Sequence, residues 1–167
     1  LEAGLICTDS ENKIDDYSAS EFLGKLVKQG HESVIEHINY SFLIDGVSRS
    51  VLQEIARHRH ISLSVKSTRW ALKKFADTQE YYSPIDDNTP MDKNQFDMYE
   101  KLNEKSKELR ELVVEAVKAG IPNDKLKYYL QESLTTKLML TCNLRELRLM
   151  FNLRTSKRAL KEFQNLC

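Results

Sequence analysis

The stretch INYSFLIDGVSRSVLQEIARHR, residues 38–59, contains two hydrophobic periods in direct succession. Over residues 38–46 apolar side chains alternate with smaller or polar ones, which is typical of a β-strand that ends at the turn pair Asp45-Gly46. From Val47 onward the apolar residues recur at helical spacing and share one face of a predicted helix. The residues on that face are Val47, Val51, Leu52, Ile55 and Ala56. The stretch therefore predicts a strand that leads straight into a helix.

Further elements are predicted on both sides of this stretch. Residues 18–30 carry apolar side chains at helical spacing, with Ser18 or Ser20 as the cap and Gly30 as the stop. TTKLMLTC, residues 135–142, alternates as a second strand does, and residues 78–90 have the Pro, Asp and Asn content of a loop.

Two longer helices complete the pattern. Residues 91–119 predict a long charged helix that Gly120 ends, and a final helix is predicted over 143–163, with Asn143 and Glu146 as an approximate capping box. The apolar side of the long helix consists of Leu102, Leu109, Leu112, Val113 and Val117. The two strands are too far apart in sequence for a simple hairpin. We therefore predict an α+β fold in a single domain, 1–167, with a small antiparallel sheet flanked by helices that include a long central one.

Composition excludes several classes of protein. The chain has 167 residues, and its 25 basic and 25 acidic residues give no net charge, so a general polyanion binder is not expected. The apolar runs are too short to span a membrane. Three cysteines (Cys7, Cys142 and Cys167) form no CxxC pair, which favours a reducing, cytoplasmic compartment. We interpret Cys142, at the end of an apolar run, as a small buried hydrophobe.

The segment RHRHISLSVKSTR, residues 57–69, concentrates cationic and hydroxyl side chains where the predicted helix ends and a Ser-rich loop begins. No acidic residue occurs from Arg57 through Ala76. On composition alone, a nuclear-localisation-like run or a solvated helix end explains it. Because Ile61, Leu63 and Val65 are interleaved, a loop that binds a nucleotide or cofactor phosphate through arginine forks and hydroxyls is the alternative.

Arg154 in the final helix poses a similar choice. It follows Met150 and Phe151 by four and three residues, so it shares a helix face with apolar side chains. One interpretation is an arginine that snorkels from the margin of the core. The other is a guanidinium at the edge of a drier pocket, free to receive an anion.

The segment HESVIEH, residues 31–37, superficially resembles a zinc-protease motif. Its histidines, His31 and His37, are six residues apart and do not share a helical face, so no metal site is expected.

Taken together, these residues resemble the flavin-dependent thymidylate synthases. The family signature of RHR followed after seven residues by Ser is matched by Arg57-His58-Arg59 and Ser67, with Ser62 and Arg69 also in place. GHESVIEH, INYSFLIDG with Ser48-Arg49, and GIPN…TTKLMLTCNLRELRLMFNLR resemble the family in the same order, so the likeness covers roughly residues 30–165. Relative to that family we expect terminal segments to be missing.

The resemblance implies an activity and an assembly. Members methylate dUMP to dTMP, with the carbon from 5,10-methylenetetrahydrofolate and the hydride from FAD that NADPH reduces. They form homotetramers whose active sites lie at subunit interfaces, and they need no cysteine nucleophile. Neither nucleic acid nor a membrane is expected as a partner.

The resemblance also implies site residues. Arg154 would stabilise negative charge on the uracil ring, and Ser67 would hold the uracil by hydrogen bonds, as the two catalytic residues. The residues expected to contact FAD are His31, Ser33, Arg57, His58, Arg59, Asn143 and Arg145. Those expected at the dUMP site are Glu54, Arg57, Ser67, Thr68, Arg69, Lys127 and Arg154.

Four positions depart from the family pattern: Ser64, Val65, Lys127 and Leu149. Ser64 and Val65 replace more polar residues, Lys127 replaces an arginine, and Leu149 replaces a polar residue that faces the flavin. These departures leave a second hypothesis open, a flavin- or nucleotide-binding relative that has lost catalysis. A third hypothesis, from another class, is a helical nucleic-acid-binding module that uses the basic segments.

Overall fold

A three-stranded antiparallel sheet lies at the centre of the fold, with strand order β1-β3-β2. The structure, a computed structural model, describes residues 2–8, 19–69, 72, 80–84 and 90–167. Strand β1 is Asn39–Ser48, β2 is Ile61–Val65 and β3 is Thr135–Asn143. The predicted α+β class with a small antiparallel sheet is confirmed, and β3, the last strand in sequence, is the central one.

One face of the sheet forms the main core. In the central strand Leu138, Leu140 and Cys142 are buried, and directly paired residues such as Phe42 and Leu63, both opposite Leu140, point to the same side. On the other face Ser41 bonds Thr141 at 2.7 Å and Lys137 pairs with Asp45 at 2.6 Å. One face of the sheet therefore packs in the core. The other, which we call the polar face, carries these polar pairs together with the exposed Leu43 and Met139.

Strand β2 was not predicted. The stretch that sequence analysis assigned to a Ser-rich loop pairs with β3 along its whole length, from Ile61 opposite Cys142 to Val65 opposite Leu138. Its serines lie on the polar face and its aliphatic residues on the core face, so the loop prediction was wrong. The alternation of Ile, Leu and Val with Ser was the relevant signal.

Strand β1 also continues past its predicted end at Gly46. The pairing register shifts between Asp45 and Val47, and Gly46 has φ +82°, so a bulge absorbs the glycine and the strand runs on to Ser48. Ser48 then caps helix α3, Arg49–Ile55, by accepting a hydrogen bond from the Val51 N–H at 3.2 Å. The direct strand-to-helix transition is confirmed.

Helix α3 and the end of the chain cover the apolar face of the sheet. Val51 and Ile55 are fully buried, and Phe163 packs with them against β3. Full burial of such a side chain stabilises the fold by about 1.5–3 kcal/mol. The buried Glu162 carboxylate also accepts hydrogen bonds from the Ser48 N–H at 2.7 Å and from its hydroxyl at 2.5 Å. The C-terminal helix is thereby fixed to the start of α3.

The predicted final helix is two helices. The first is Leu144–Arg154 and the second is Lys161–Leu166. Thr155 ends the first helix and donates its hydroxyl proton to the Phe151 carbonyl at 2.7 Å. The chain must change direction here so that Phe163 enters the core, and this tertiary requirement overrides the continuous helical pattern.

The long helix is present as predicted, as Lys93–Lys118, with a capping box formed by Asp92 and Gln95. It ends before Gly120, which has φ +84°. Its apolar side does not lie in the core of this chain: Val113 is buried, whereas Leu102 is 62% exposed. A short helix, Asn123–Leu126, and a 3-10 turn, Lys127–Tyr129, lead towards β3.

The N-terminal part forms a smaller core. Helices Glu2–Thr8 and Ala19–Lys28 are followed by a 3-10 helix, Glu32–His37, and Leu26 packs there with Val34 and Ile35. In chain order the α-helices named so far are α1 Glu2–Thr8, α2 Ala19–Lys28, α3 Arg49–Ile55, α4 Lys93–Lys118, α5 Asn123–Leu126, α6 Leu144–Arg154 and α7 Lys161–Leu166.

Two predictions extend beyond the described residues. The proposed cap Ser18 lies outside them, as do residues 78–79 and 85–89 of the predicted loop. Among the residues described, no helix combines the length and the apolar character needed to cross a membrane.

Candidate functional site

The turn that follows α3 directs the three RHR side chains differently: His58 points into the protein, and Arg57 and Arg59 point to solvent. The His58 N–H donates to the Ile55 carbonyl at 3.0 Å and the Arg57 N–H to the Glu54 carbonyl at 3.3 Å, which tightens the end of the helix. His58 consequently points inward and is 7% exposed, whereas Arg57 and Arg59 are exposed. The structure thus separates a buried imidazole from two solvent-facing guanidinium groups.

His58 joins two residues of helix α6. Its Nδ1 lies 2.9 Å from the Glu146 carboxylate, and both side chains are nearly inaccessible to solvent. On the other edge of the ring, Arg154 Nε donates to His58 Nε2 at 3.2 Å. Glu146 and Arg154 lie at opposite ends of α6, so the imidazole spans the helix face between them.

Arg154 has further partners from α3. Its Nη1 donates to the Glu54 carboxylate at 2.7 Å and its Nη2 to the Glu54 main-chain carbonyl at 3.2 Å. The guanidinium lies 5.1 Å from the centre of the Phe163 ring, a cation–π distance. Its side chain is 19% exposed. Neither interpretation of Arg154 from the sequence included Glu54, which supplies a carboxylate to the guanidinium.

Two adjacent cavities open beside these residues, and we call them together the cationic cleft. They share His60, Glu146 and Leu149. The cavity of about 610 Å³ is lined by Glu54, Arg57, His58, Arg59, His60, Glu146, Leu149, Leu153, Arg154, Arg158 and Ala159. The cavity of about 580 Å³ is lined by Glu32, Glu36, His60, Asn143, Arg145, Glu146, Arg148, Leu149 and Asn152. Leu149 provides an apolar surface between the two cavities.

The arginines in the smaller cavity are paired with the 3-10 helix. Arg145 bonds Glu36 through Nη1 and approaches Glu32 at 3.5 Å, while Arg148 lies 3.6 Å from Glu32. The hydrogen bond that Arg145 donates to Glu36, reinforced by the charges of Glu36 and Glu32, raises the pKa of Arg145 above its ordinary value. This part of the cleft therefore contains both signs of charge.

Asn143 places the start of α6 at the cleft. Its side-chain oxygen accepts from the Glu146 N–H at 2.9 Å, which forms one half of the predicted capping box. The Glu146 carboxylate, expected to complete the box, binds His58 instead. Sequence analysis thus missed Glu146 as a site residue, since its spacing from Asn143 signalled only a cap.

Four predicted dUMP residues lie elsewhere: Ser67, Thr68, Arg69 and Lys127. None of them lines either cavity of the cleft. Ser67, Thr68 and Arg69 follow the far end of β2 from the RHR turn, and a five-residue strand spans about 16 Å. Lys127 lies in the 3-10 turn after α5. Within one chain, the structure does not bring them together with Glu54, Arg57 and Arg154.

We call Ser67, Thr68, Arg69 and Lys127 the distal cluster. Ser67 is exposed, and Arg69 forms an exposed ion pair with Asp124 at 2.6 Å. The Asn123 amide donates to the Arg69 carbonyl at 2.5 Å, which attaches this segment to α5. The Lys127 ammonium lies 5.2 Å from the ring of its neighbour Tyr128. Arg69, like Arg154, thus has a carboxylate partner that the segment's own sequence does not reveal.

His31 and Ser33 lie at the 3-10 helix, apart from the RHR turn. Ser33 is exposed and lines a third, largely apolar cavity of about 760 Å³ that also borders α1. His31 occupies the N-cap position of the 3-10 helix without a side-chain cap bond. In the described part of the chain, no group of three or more His, Cys, Asp or Glu residues could hold a metal ion.

Cys142 is part of the hydrophobic core, as predicted. It is 3% exposed and packs in the cluster with Leu140 and Val51. Burial, together with the Glu146 charge, raises the pKa of the Cys142 thiol above its ordinary value. A protonated, inaccessible thiol is a poor nucleophile.

The fold and the cleft together define an α+β domain with an arginine-lined cleft at the edge of a three-stranded sheet. Comparison with known families gives this class a name: the chain belongs to the family described as thymidylate synthase complementing protein, whose sequence model matches residues 1–167.

Curated relatives carry the name flavin-dependent thymidylate synthase. The protein from Campylobacter jejuni strain RM1221 is 43% identical over 136 residues, which cover 81% of this chain and 65% of that protein. The protein from Helicobacter pylori strain J99 is 39% identical over 140 residues, covering 81% of this chain and 67% of its own length. The chain thus spans about two thirds of the length of these relatives, and slightly less in the first case.

A solved structure matches over nearly the whole chain. The crystal structure of thymidylate synthase X from Helicobacter pylori with FAD and dUMP superimposes with a TM-score of 0.79 at 33% identity. The match covers 99% of this chain and 82% of that one. The predicted family and fold class are therefore confirmed.

Proposed function

We propose that this chain is a flavin-dependent thymidylate synthase that converts dUMP to dTMP. The carbon would come from 5,10-methylenetetrahydrofolate, and FAD reduced by NADPH would supply the hydride. The observation that carries the proposal is the cationic cleft, in which Arg57, Arg59 and Arg154 border one wall in a chain of this family. A related protein of the same fold has been crystallised with FAD and dUMP.

The residues present fit an FAD molecule. Arg57 and Arg59 are exposed, and no ion pair to either is found among the residues that the structure describes. Both are therefore available to a pyrophosphate, for which guanidinium groups are suited. Asn143 and Arg145 line the adjoining cavity, and we propose that they contact FAD together with His31 and Ser33. His58 remains a predicted FAD contact, although both of its ring nitrogens already have partners in this chain.

The dUMP site is proposed to combine two chains. Glu54, Arg57 and Arg154 lie in the cleft, whereas the distal cluster lies beyond the other end of β2. A single dUMP can contact both groups only if the distal cluster of one chain approaches the cleft of another. We therefore propose active sites at subunit interfaces, within the homotetramer that the family resemblance implies.

Within that site, Arg154 and Ser67 are the proposed catalytic residues. The Arg154 guanidinium would stabilise negative charge that develops on the uracil ring, because it is held in place before the reaction begins. Ser67 would orient the uracil by hydrogen bonds. Lys127 would contribute a point charge towards the phosphate, and Thr68 and Arg69 further donors. The buried Cys142 thiol takes no part in this scheme.

The remaining proposals concern context. We propose that residues 1–167 form one domain of this enzyme, that it acts in the cytoplasm, and that neither nucleic acid nor a membrane is its partner. The described helices include no membrane-spanning candidate, which is compatible with that view.

The deciding experiment is the visible spectrum of the purified protein with and without FAD, followed by turnover. We expect flavin absorbance, dUMP-dependent oxidation of NADPH and formation of dTMP. A protein that binds no flavin would refute the proposal. Flavin binding without dTMP formation would favour the catalytically impaired relative, for which Leu149 between the two cavities is the supporting feature. A salt-sensitive shift of DNA in the absence of flavin would favour the nucleic-acid-binding module.

A further inference from the structure

We propose that Glu146 is a positioning residue that acts through His58 to hold the Arg154 guanidinium in its working orientation. The inference deepens the proposed function and rests on it, since it assigns a role around the proposed catalytic arginine. Four groups from two helices and the turn between α3 and β2 form one continuous chain of hydrogen bonds. Their order is Glu146, His58, Arg154 and Glu54.

The direction of each hydrogen bond follows from the chemistry of arginine. A guanidinium has donors and no acceptor, so the 3.2 Å contact from Arg154 Nε requires an unprotonated Nε2 on His58. The imidazole proton must then reside on Nδ1, where it is donated to the Glu146 carboxylate at 2.9 Å. Glu146 thus accepts the proton-bearing edge of the ring and stabilises the tautomer of His58 that can accept from Arg154.

Because His58 and Glu146 are buried, the other tautomer of His58 is strongly disfavoured. The side chains of His58 and Glu146 are 4% and 6% exposed, so water is not at hand to replace either partner. If the proton moved to Nε2, two donors would face each other across the contact with Arg154, and the Glu146 oxygen would lose its donor. Such unmatched groups are costly in a buried site.

The same network determines which N–H donors of Arg154 remain for a ligand. Of the five N–H groups of a guanidinium, Nε–H binds His58, one on Nη1 binds the Glu54 carboxylate and one on Nη2 binds the Glu54 carbonyl. One N–H on each terminal nitrogen remains. The Phe163 ring, itself fixed in the core, supports the guanidinium plane at 5.1 Å. Arg154 therefore presents two donors in a fixed orientation.

The test compares two substitutions of Glu146. Glu146→Leu removes the acceptor, and we expect kcat for dTMP formation to fall about 10²-fold, with a much smaller change in the KM for dUMP. Glu146→Gln keeps an oxygen that can accept from Nδ1–H. Because Arg154 Nε–H needs an unprotonated Nε2, the proton stays on Nδ1 and the amide turns its oxygen towards it. We expect Glu146→Gln to retain kcat within about fivefold of the wild type.

A spectroscopic readout separates positioning from simple destabilisation. The chain has four histidines, so ¹⁵N NMR of the imidazoles can be assigned by single substitutions. We expect His58 in the wild type and in Glu146→Gln to have its proton on Nδ1, and this signature to be lost in Glu146→Leu. Glu162→Gln is the matched control, because Glu162 is a buried carboxylate that binds Ser48 and lies outside the network. It should leave the His58 signals unchanged.

The outcomes are distinguishable from failure of the proposed function. If the wild type forms no dTMP, the proposed function is refuted, and the NMR comparison still decides whether Glu146 sets the tautomer. If the wild type is active but Glu146→Leu turns over within about threefold of it, the positioning role is refuted. A wild-type His58 protonated on Nε2 refutes it as well, whether or not Glu146→Leu folds.

Discussion

The two ends of strand β2 carry cationic residues in opposite physical settings. Before the strand, His58 and its partner Arg154 belong to a largely buried network with carboxylates at both ends. After the strand, Ser67 and Arg69 lie on the surface, and the side chains of the Arg69–Asp124 pair are each 63% exposed. The side chains at the first end are held by hydrogen bonds within a largely buried network, whereas those at the second are mostly exposed to solvent. One chain therefore contains a preorganised half and an adaptable half of the proposed site.

Of the substitutions considered, Arg154→Ala is expected to have the largest effect on turnover. We expect dTMP formation to fall by at least about 10²-fold to 10³-fold, because the preorganised guanidinium is lost. The fold should persist, since Arg154 lies at the margin of the core, and circular dichroism and thermal melting would verify this. Arg110→Ala is the matched control: Arg110 also stacks on a ring, that of Tyr81 at 4.6 Å, but lies on α4 away from the cleft. Near-normal turnover of Arg154→Ala would refute its catalytic role.

A mixing experiment tests whether the two halves come from different chains. Chains with Arg154→Ala and chains with Arg69→Ala are each expected to be weakly active alone. Co-expressed in equal amounts, they should recover about a quarter of wild-type turnover, because one quarter of random interface pairs combine two intact halves. Titration of the subunit ratio provides the internal control. If the mixture is no more active than the two variants measured separately, the cleft and the distal cluster of each active site belong to the same chain.

The adaptable half should respond less sharply to single changes. We expect Ser67→Ala to raise the KM for dUMP by about tenfold at most, since one exposed hydrogen bond is worth about 0.5–1.5 kcal/mol. Steady-state kinetics with Ser41→Ala as control would measure this, because Ser41 is an equally small hydroxyl on the polar face of the sheet. An effect of Ser67→Ala as large as that of Arg154→Ala would show that the distal cluster is as preorganised as the cleft.

Cys142→Ala should have the smallest effect on the reaction. The thiol is buried and its pKa is raised, so it stays protonated at neutral pH and does not act as a nucleophile. We expect turnover within about twofold of the wild type and a loss of stability of about 1 kcal/mol from the packing defect. In the folded protein, an alkylating reagent should modify the exposed Cys7 and spare Cys142. A folded but inactive Cys142→Ala would require a covalent mechanism.

Local hydrophobic periods were sufficient to predict much of the fold. Strands β1 and β3, the long helix and its end at Gly120 all follow from patterns within one segment. Strand β2 was missed because its serines resemble a loop, and its assignment as a strand depends on pairing with residues more than 70 positions away. The break between α6 and α7 was missed for a similar reason, since Phe163 must reach a core that the local sequence does not specify.

Some residues of the cleft could be predicted from the sequence, but the pairs that they form could not. Arg57, Arg154 and Asn143 were recognised from motifs, and all three line the cleft. The bond between Arg154 and Glu54 joins residues 100 positions apart, and that between His58 and Glu146 joins residues 88 apart. No spacing rule reaches so far. The carboxylates beside His58 and Arg69 lie on other elements, Glu146 on α6 and Asp124 on α5, so the segment's own sequence does not show them.

These internal ion pairs have a consequence for how binding depends on ionic strength. Arg69, Arg145 and Arg154 each have a carboxylate of this chain beside them. An incoming phosphate or uracil oxyanion meets an arginine whose charge a carboxylate of this chain already balances, so its binding displaces little of the mobile salt around the protein. Screening weakens the old pair and the new one alike. Affinity for an anionic ligand at these arginines should therefore vary only shallowly with salt, in contrast to the steep dependence of an open basic patch.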